Sequence, residues 1–258
     1  MEKIKELYLY REMIFSLVRR DLRGRYKGSV LGFLWTFINP LFQLIIYTVV
    51  FSTIMKNGIP NYYIYLFVAL VPWLFLSASI TIGSTCILDQ KEMVKKIYFP
   101  RQVLPIAYVT SSFINMLLVF IVIFAVIILS GIGINFNALI FLPLVMIIEY
   151  ILALGIALIV SALTVYFRDL QHILGIITMA WMYLTPVMYS IDMVPEKYRK
   201  LFYINPMTPI IAAYRDILYS KQVPQLITLL HAIILGLVVI ILGNILFSIL
   251  QRNFVEEL

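Results

Sequence analysis

Long apolar runs are the feature of this sequence that most constrains its fold. A helix needs about 20 mostly apolar residues to cross the hydrocarbon core of a bilayer. Six runs meet this requirement and predict six transmembrane helices, over residues 31–55, 65–88, 103–130, 138–167, 173–191 and 226–250. Charged residues make up only 13% of the chain, whereas soluble domains average about 25%. The sequence therefore predicts a single all-α integral membrane domain that occupies residues 1–258.

Shorter helices are predicted before the first span and between the last two. Residues 5–24 place apolar side chains such as Leu7 and Leu17 on one helical face and arginines on the other, which indicates an amphipathic interface helix on the membrane surface. Residues 195–203 and 209–220 each begin with a proline, a residue favoured at the first helical position. They predict two short helices at the outer membrane face.

The polar segment between the second and third spans carries several lysines. Residues 89–99 mix these lysines with apolar side chains and stop before Pro100, which predicts a short amphipathic helix. Such a helix could dock into a groove on a soluble partner. The alternative is an ordinary basic loop that only helps to orient the protein.

Basic residues near the ends of the spans predict the orientation in the membrane. Fourteen of the twenty Lys and Arg residues lie in the N-terminal segment, in the loop after the second span, near Arg168 or at Arg252. Loops rich in Lys and Arg stay in the cytoplasm. We therefore expect both termini in the cytoplasm and the domain in the cytoplasmic membrane.

Several kinds of chemistry lack support in the sequence. The net charge of +7 could suggest nucleic acid, but the basic residues flank apolar runs, where anionic lipid is the nearer partner. No G-x-x-x-x-G-K-[ST] or H-E-x-x-H string occurs, and Cys86 is the one cysteine. We expect no nucleic-acid partner, catalytic residue, cofactor or metal site in this chain, although an intramembrane enzyme of glycan or lipid assembly remains an alternative.

Glu149 is the acidic residue that lies well inside a predicted span. A charge there costs several kcal/mol unless it faces water or a partner. Two interpretations stay open. In the functional one, Glu149 faces a hydrophilic channel or forms a hydrogen bond that gates it. In the structural one, Glu149 is a carboxyl group that is protonated or hydrogen-bonded within the protein.

Aromatic residues supply further candidates for a transport channel. Trp35 and Tyr189 fall near predicted membrane boundaries, whereas Trp181 and Tyr183 lie within the fifth predicted span. Aromatic rings pack against the C–H faces of sugars, so an aromatic lining would let a polysaccharide slide. Packing between helices is the alternative for each residue.

A cluster of basic residues precedes the first span. These residues could attract the phosphate of a lipid substrate or anchor the N-terminus to anionic lipid. They are Arg19, Arg20, Arg23, Arg25 and Lys27.

Five strings in this sequence resemble a known family over essentially the whole chain. They are RYKGSVLGFLWTFINPL (25–41), KKIYFPRQVLP (95–105), FRDL (167–170), LTPVMY (184–189) and YINPM (203–207). The order and spacing resemble those of type 2 ABC transporter permeases that export polysaccharides and polyol phosphates. The chain looks most similar to permeases for O-antigen lipopolysaccharide.

The resemblance implies a permease that works as a homodimer on two copies of a separate ATPase. ATP and Mg would bind to that partner, and residues 89–99 would form a cytoplasmic coupling helix. The resemblance assigns the contact with the ATPase to Glu92, Lys95, Lys96, Tyr98 and Phe99. The implied substrate is a polysaccharide on a polyprenyl diphosphate lipid; teichoic acid, capsule, drug and lipid efflux remain alternatives.

Overall fold

A computed structural model describes residues 2–25, 28–56 and 58–258, with side chains from residue 5 onward. No strand occurs among these residues. The helices are α1 (Glu2–Leu9), α2 (Arg11–Gly24), α3 (Trp35–Thr48), α4 (Tyr62–Thr85), α5 (Lys91–Lys96), α6 (Val103–Leu129), α7 (Phe136–Leu139), α8 (Leu142–Tyr166), α9 (Leu170–Tyr183), α10 (Glu196–Ile204), α11 (Met207–Leu218), α12 (Leu226–Leu250) and α13 (Phe254–Glu257).

Five helical stretches in the described part of the chain are long and apolar enough to cross a membrane. They are Gly32–Ile54, Tyr62–Thr85, Val103–Leu129, Phe136–Tyr166 and Leu226–Glu257. The first includes a π-helical extension of α3, and the fourth combines α7 and α8. These stretches overlap the first four predicted spans and the sixth.

The fifth predicted span, residues 173–191, differs from the other five. Only α9 is helical there, and its 14 residues rise about 21 Å, less than the roughly 30 Å of a bilayer core. The helix ends at Tyr183 because Pro186 lacks a backbone N–H and disfavours helical geometry at Thr185. The chain then bends over residues 184–189.

Helix α4 is the centre of the bundle. Its residues are buried on nearly every side, and it contacts α3, α6, α8, α9 and α11. By contrast, α3 buries only Thr36, Pro40 and Leu44, which are four residues apart and form one stripe. Most of the surface of α3 is therefore left for lipid or a partner.

Helices α8 and α12 approach each other closely because glycines lie at their crossing. A Cβ atom built on Gly155 would lie 2.7 Å from the backbone nitrogen of Ile240, and one on Gly243 would also meet the Gly155 backbone. Any larger side chain would force the two backbones apart.

Two groups of contacts define the ends of the bundle. At the terminal end, Leu17, Phe99, Phe247 and Phe254 belong to one apolar cluster, so α2, the segment after α5 and the C-terminus lie together. At the opposite end, which we call the bend end, Lys221 Nζ donates to the Ile132 carbonyl at 2.7 Å. This bond joins the turn after α6 to the segment after α11.

Helix α11 is buried, although residues 209–220 are predicted to lie at the outer surface. It packs against α4, α8 and α12, and most of its side chains are inaccessible to solvent, including Ile210, Ile211 and Ile217. Apolar residues occur on all sides of this helix, and such a helix favours the interior. The other predicted outer helix, residues 195–203, corresponds to α10.

Two predicted helices are shorter or interrupted in the structure. The interface helix over residues 5–24 is divided into α1 and α2 at Tyr10, whose ψ of 14° leaves the helical range. The helix predicted over 89–99 is a 3-10 turn, Leu88–Gln90, followed by α5. Helix α5 ends at Lys96, since Ile97 is extended and Pro100 disfavours helix just before it.

Candidate functional site

The short helix α5 exposes its charges and buries its apolar side. Lys95 is exposed, and Lys96 Nζ lies 2.8 Å from Glu92 Oε2 one turn earlier. The hydrogen bond between these two side chains lowers the pKa of Glu92 and raises the pKa of Lys96. Val94 faces the apolar cluster at the terminal end. The charged side of α5 is therefore free for contact with a partner.

The two aromatic residues of the extended segment after α5 differ in their exposure to solvent. Tyr98 is 85% exposed, whereas Phe99 is 5% exposed and packs into the terminal-end cluster. The Tyr10 hydroxyl donates to the Tyr98 carbonyl at 3.4 Å, and Arg101 donates to the Gln251 carbonyl. Phe99 thus anchors the segment, and Tyr98 projects from it.

A groove of about 400 Å³ lies beside this segment. Its walls include Leu7 of α1, the chain from Ile97 to Gln102, and Arg252 near the C-terminus. A groove with both apolar and charged walls can receive an amphipathic element of another protein. Of the five residues assigned to ATPase contact, Tyr98 and Phe99 line this groove, and Phe99 contributes through packing.

The basic residues of α2 separate into two kinds. Arg19, Arg20 and Arg23 are exposed and can reach anionic lipid. Lys27 lies outside the described residues.

Arg25 differs because its guanidinium is held between α2 and α6. Its Nε donates to Asp21 Oδ2 at 2.8 Å, and its Nη2 donates to Ser112 Oγ at 3.0 Å. Ser111 also donates to Asp21. Asp21 and the two serines were not among the predicted site residues, although the Asp21–Arg25 spacing of four residues is a recognisable helical pair. The charge of Arg25 is thus compensated inside the protein.

The aromatic candidates have different surroundings. Trp181 Nε1 donates to Asn205 Oδ1 at 3.0 Å, and the Trp181 ring meets Trp73 edge to face at 6.0 Å. Tyr183 is exposed, and its carbonyl accepts a 2.5 Å hydrogen bond from the Tyr189 hydroxyl. Trp181 therefore has a packing role in this structure, whereas Tyr183 offers a free ring.

Glu149 is completely buried, about 10 Å of helix rise from Leu142 at the start of α8. Its Oε2 accepts a 2.6 Å hydrogen bond from the Tyr214 hydroxyl on α11. Its Oε1 has no hydrogen-bond partner among the described residues. The Tyr214 ring packs against Phe120. This geometry favours the internally bonded carboxyl over a residue on an open channel.

Arg215 is a buried cation that the sequence reasoning did not select. It is 8% exposed; its Nη1 donates to the Pro186 carbonyl and its Nη2 to the Val187 carbonyl, both at 2.6 Å. Its guanidinium lies 3.6 Å from the ring centroid of Tyr65. Burial lowers the pKa of Arg215 to about 10, so the guanidinium stays charged at neutral pH. In the sequence, this site could have been recognised from a single arginine within a mostly apolar helical segment.

Side chains of α4 complete the hydrogen bonding of the bend. The Tyr62 hydroxyl donates to the Met188 carbonyl at 2.7 Å, and the Tyr65 hydroxyl donates to the Tyr189 carbonyl at 3.1 Å. All four carbonyls of residues 186–189 are therefore satisfied by side chains. Irregular backbone within a membrane protein requires such internal partners. We call this arrangement the carbonyl cage.

The residues whose positions are described do not suggest a metal centre. No cluster of three or more His, Cys, Asp or Glu side chains occurs among them.

Comparison with known proteins identifies the family. The model of the ABC-2 type transporter family matches residues 12–219. The chain is 32% identical to the O-antigen export system permease protein RfbA of Myxococcus xanthus, over 99% of this chain and 98% of the relative. It is also 32% identical to a protein of the same name from Klebsiella pneumoniae, over 97% and 96% of the two chains.

A more distant relative has a different name. The chain is 23% identical to the polysialic acid transport protein KpsM of Escherichia coli, over 90% of this chain and 91% of the relative. The resemblance drawn from the five sequence strings is confirmed. On these matches, this chain belongs to the ABC-2 type transporter family.

Proposed function

We propose that this chain is the transmembrane subunit of an ATP-driven exporter that moves lipid-linked polysaccharide of the O-antigen type across the inner membrane. The observation that carries the proposal is its nearly full-length similarity to relatives named as O-antigen export permeases. The relative named for polysialic acid transport makes a capsule polymer the second candidate. Teichoic acid, drug and lipid efflux are further alternatives, and an intramembrane enzyme finds less support.

Six crossings and cytoplasmic termini form part of this proposal. The N-terminal helices and the C-terminus share the terminal end of the bundle, which supports an even number of crossings. Five helical stretches among the described residues are long enough to cross alone, and we assign the sixth crossing to α9 and the bend. The basic residues of α2 and α5 also lie at the terminal end, which supports a cytoplasmic location for it.

A separate ATPase is proposed to supply the energy. The chain has no P-loop sequence, so ATP and Mg would bind to that subunit. The charges of α5 are exposed, and the exposed Tyr98, which follows α5 in the chain, lines the groove at the terminal end. Motion of the ATPase at this surface would reach the bundle through Phe99, since Phe99 packs against the cluster shared by α2 and α6.

A second copy of the chain is proposed to complete the transport path. Helix α3 exposes apolar side chains such as Phe42 and Ile46, and α9 exposes Ile176 and Met179. The same surface of α3 includes the exposed amide Asn39. Lipid tails cannot hydrogen-bond an amide, which favours a protein or polysaccharide neighbour there. Two such faces around a common axis would enclose a channel.

Reconstitution with the ATPase tests the proposed function. We expect lipid-linked O-antigen-type glycans to stimulate ATP hydrolysis and to cross the membrane, whereas drugs and unmodified lipids should not. Stimulation by polysialic acid on its lipid but not by O-antigen-type glycans would favour the second candidate. Conversion of a glycan without its movement would indicate an enzyme instead.

A further inference from the structure

A small polar cavity lies among the apolar spans, between α3, α4 and α6. It has a volume of about 200 Å³, below the range of about 300–1,000 Å³ for pockets that enclose drug-sized ligands. Its polar lining residues are Arg25, Trp35, Thr36, Asn39, Gln43, Ser112 and Asn115. We call it the amide pocket.

Some of the polar groups of the amide pocket have no hydrogen-bond partner in the described part of the chain. Thr36 is 2% exposed, and its hydroxyl makes no hydrogen bond within the described part of the chain. The side-chain amides of Asn39, Gln43 and Asn115 likewise make none among the described residues. The three amides are at least partly accessible and line one cavity. Their donors and acceptors are therefore available to a ligand with several hydroxyl groups.

The charge of the pocket excludes a site designed mainly for phosphate. Arg25 is the cation of the lining, and the Asp21 carboxylate lies 2.8 Å from its Nε. The pair leaves the pocket without a net positive charge. Because the charge of Asp21 offsets that of Arg25, a phosphate group would gain little net electrostatic attraction here. The lining therefore suits an uncharged polar molecule.

Aromatic side chains give the same pocket a second feature of carbohydrate sites. Trp35 and Phe75 border the cavity. The Trp35 indole N–H is already bonded to Ser29 Oγ at 3.0 Å, which fixes the orientation of the ring. Aromatic rings combine large apolar area with fixed geometry, and sugar rings offer flat C–H faces to them.

We propose that the amide pocket binds one sugar ring of the transported glycan. The proposal rests on the proposed function and adds the position of a sugar contact within it. Asn39 is exposed at the mouth of the pocket and Thr36 is buried within it, so a ring enters from the exposed face of α3. The amides exchange hydrogen bonds with sugar hydroxyls, and Trp35 and Phe75 pack against the ring. The volume admits a single ring at a time.

Stimulation of ATP hydrolysis by two defined lipids tests this proposal. The complete permease and its ATPase are placed in lipid nanodiscs and titrated with undecaprenyl diphosphate, either bare or carrying one N-acetylhexosamine. For Asn39→Ala combined with Gln43→Ala, we expect the half-maximal concentration of the sugar-bearing lipid to rise at least about fivefold, because each lost hydrogen bond weakens binding about two- to tenfold. The response to the bare lipid should not change.

Two further variants separate binding from folding. Asn115→Leu roughly keeps the shape of a side chain that lines the cavity but removes its amide. Ala78→Leu fills the cavity without removing any polar group, since Ala78 also lines it. Both should weaken the response to the sugar-bearing lipid selectively. Asn137→Ala and Gln222→Ala are the matched controls, because these amides are exposed at the bend end, and both should behave like the wild type.

Each other outcome is informative. Equal weakening for both lipids would overturn the sugar site, as it would indicate a phosphate contact or a packing defect. The sugar site would also be overturned if every pocket variant responded like the wild type, or if the wild type did not distinguish the two lipids. Neither result would contradict the proposed exporter function. A wild type that responds to no glycan lipid, including long polymers, would contradict the proposed function itself.

Discussion

Two arginines, the buried Arg215 and the partly buried Arg25, have their charges stabilised in different ways at the two ends of the bundle. At the bend end, Arg215 has backbone carbonyls and the ring of Tyr65 around its guanidinium. At the terminal end, Arg25 is held by Asp21 and Ser112. The first arginine replaces the missing helical hydrogen bonds of an irregular segment, whereas the second joins α2 to α6. The bend is therefore held by side chains of the protein interior, whereas the other charges of the terminal end remain exposed.

Removal of Arg215 should have the largest effect. The Arg215→Met variant leaves two carbonyls of the bend without donors, and bonds to a charged group contribute about 1.5–3 kcal/mol each. We expect a loss of about 3 kcal/mol or more, measured as thermal unfolding of the purified protein in detergent. Arg19→Met, at an exposed position, is the matched control. Equal stability of the two variants would contradict the carbonyl cage.

The terminal end should show a large effect on binding with little effect on folding. Lys95→Glu and Lys96→Glu combined with Tyr98→Ala remove the exposed charges and ring that we assign to ATPase contact. We expect at least about tenfold weaker ATPase binding, as for the loss of a central interface residue. Copurification of the two subunits and ATP hydrolysis measure it.

Substitution of the neighbouring Phe99 should affect folding more than ATPase binding. Because Phe99 is buried, Phe99→Ala should lower stability by about 3 kcal/mol and reduce ATPase binding only as folded protein is lost. Charge reversal at Lys197 and Lys200, at the bend end, serves as the control. If the α5 variant recruits the ATPase as well as this control does, the assignment of the docking surface is wrong.

The Glu149 and Tyr214 pair should have a moderate effect. Tyr214→Phe removes the donor of the buried hydrogen bond and should cost about 1–3 kcal/mol of stability. Glu149→Gln retains an acceptor for the Tyr214 hydroxyl, so its cost should be smaller, and export should persist. A double-mutant cycle of unfolding free energies measures the coupling. Loss of export in a stably folded Glu149→Gln protein would show that the carboxyl acts in transport.

The smallest effect on stability is expected at Tyr183. Its exposed ring makes Tyr183→Ala nearly neutral for folding, within about 0.5 kcal/mol, but a polymer-contacting ring should slow export when removed. Trp181→Ala should instead lower stability, because Trp181 packs on Trp73 and bonds to Asn205. Export per folded molecule, compared between the two variants, decides which ring touches the polymer.

The sequence alone determined the features that depend on local pattern. Five of the predicted spans overlap long helices, since twenty consecutive apolar residues require a bilayer whatever their neighbours are. The five strings indicated the family because each is a run of consecutive residues, which is visible without knowledge of the tertiary structure. The shortened α5 could also have been anticipated from Pro100.

Only the tertiary structure decided which distant residues meet. Arg215 bonds to carbonyls of the bend that lie 26 to 29 residues away, and Tyr214 bonds to Glu149 at a separation of 65. The apolar residues of α11 favour its burial, but only the tertiary structure shows that it packs against α4, α8 and α12. The amide pocket likewise forms where three spans meet. The hydrophobic pattern of a segment indicates that it forms a buried helix and roughly where that helix begins and ends. The partners of its polar groups depend instead on packing across the whole chain.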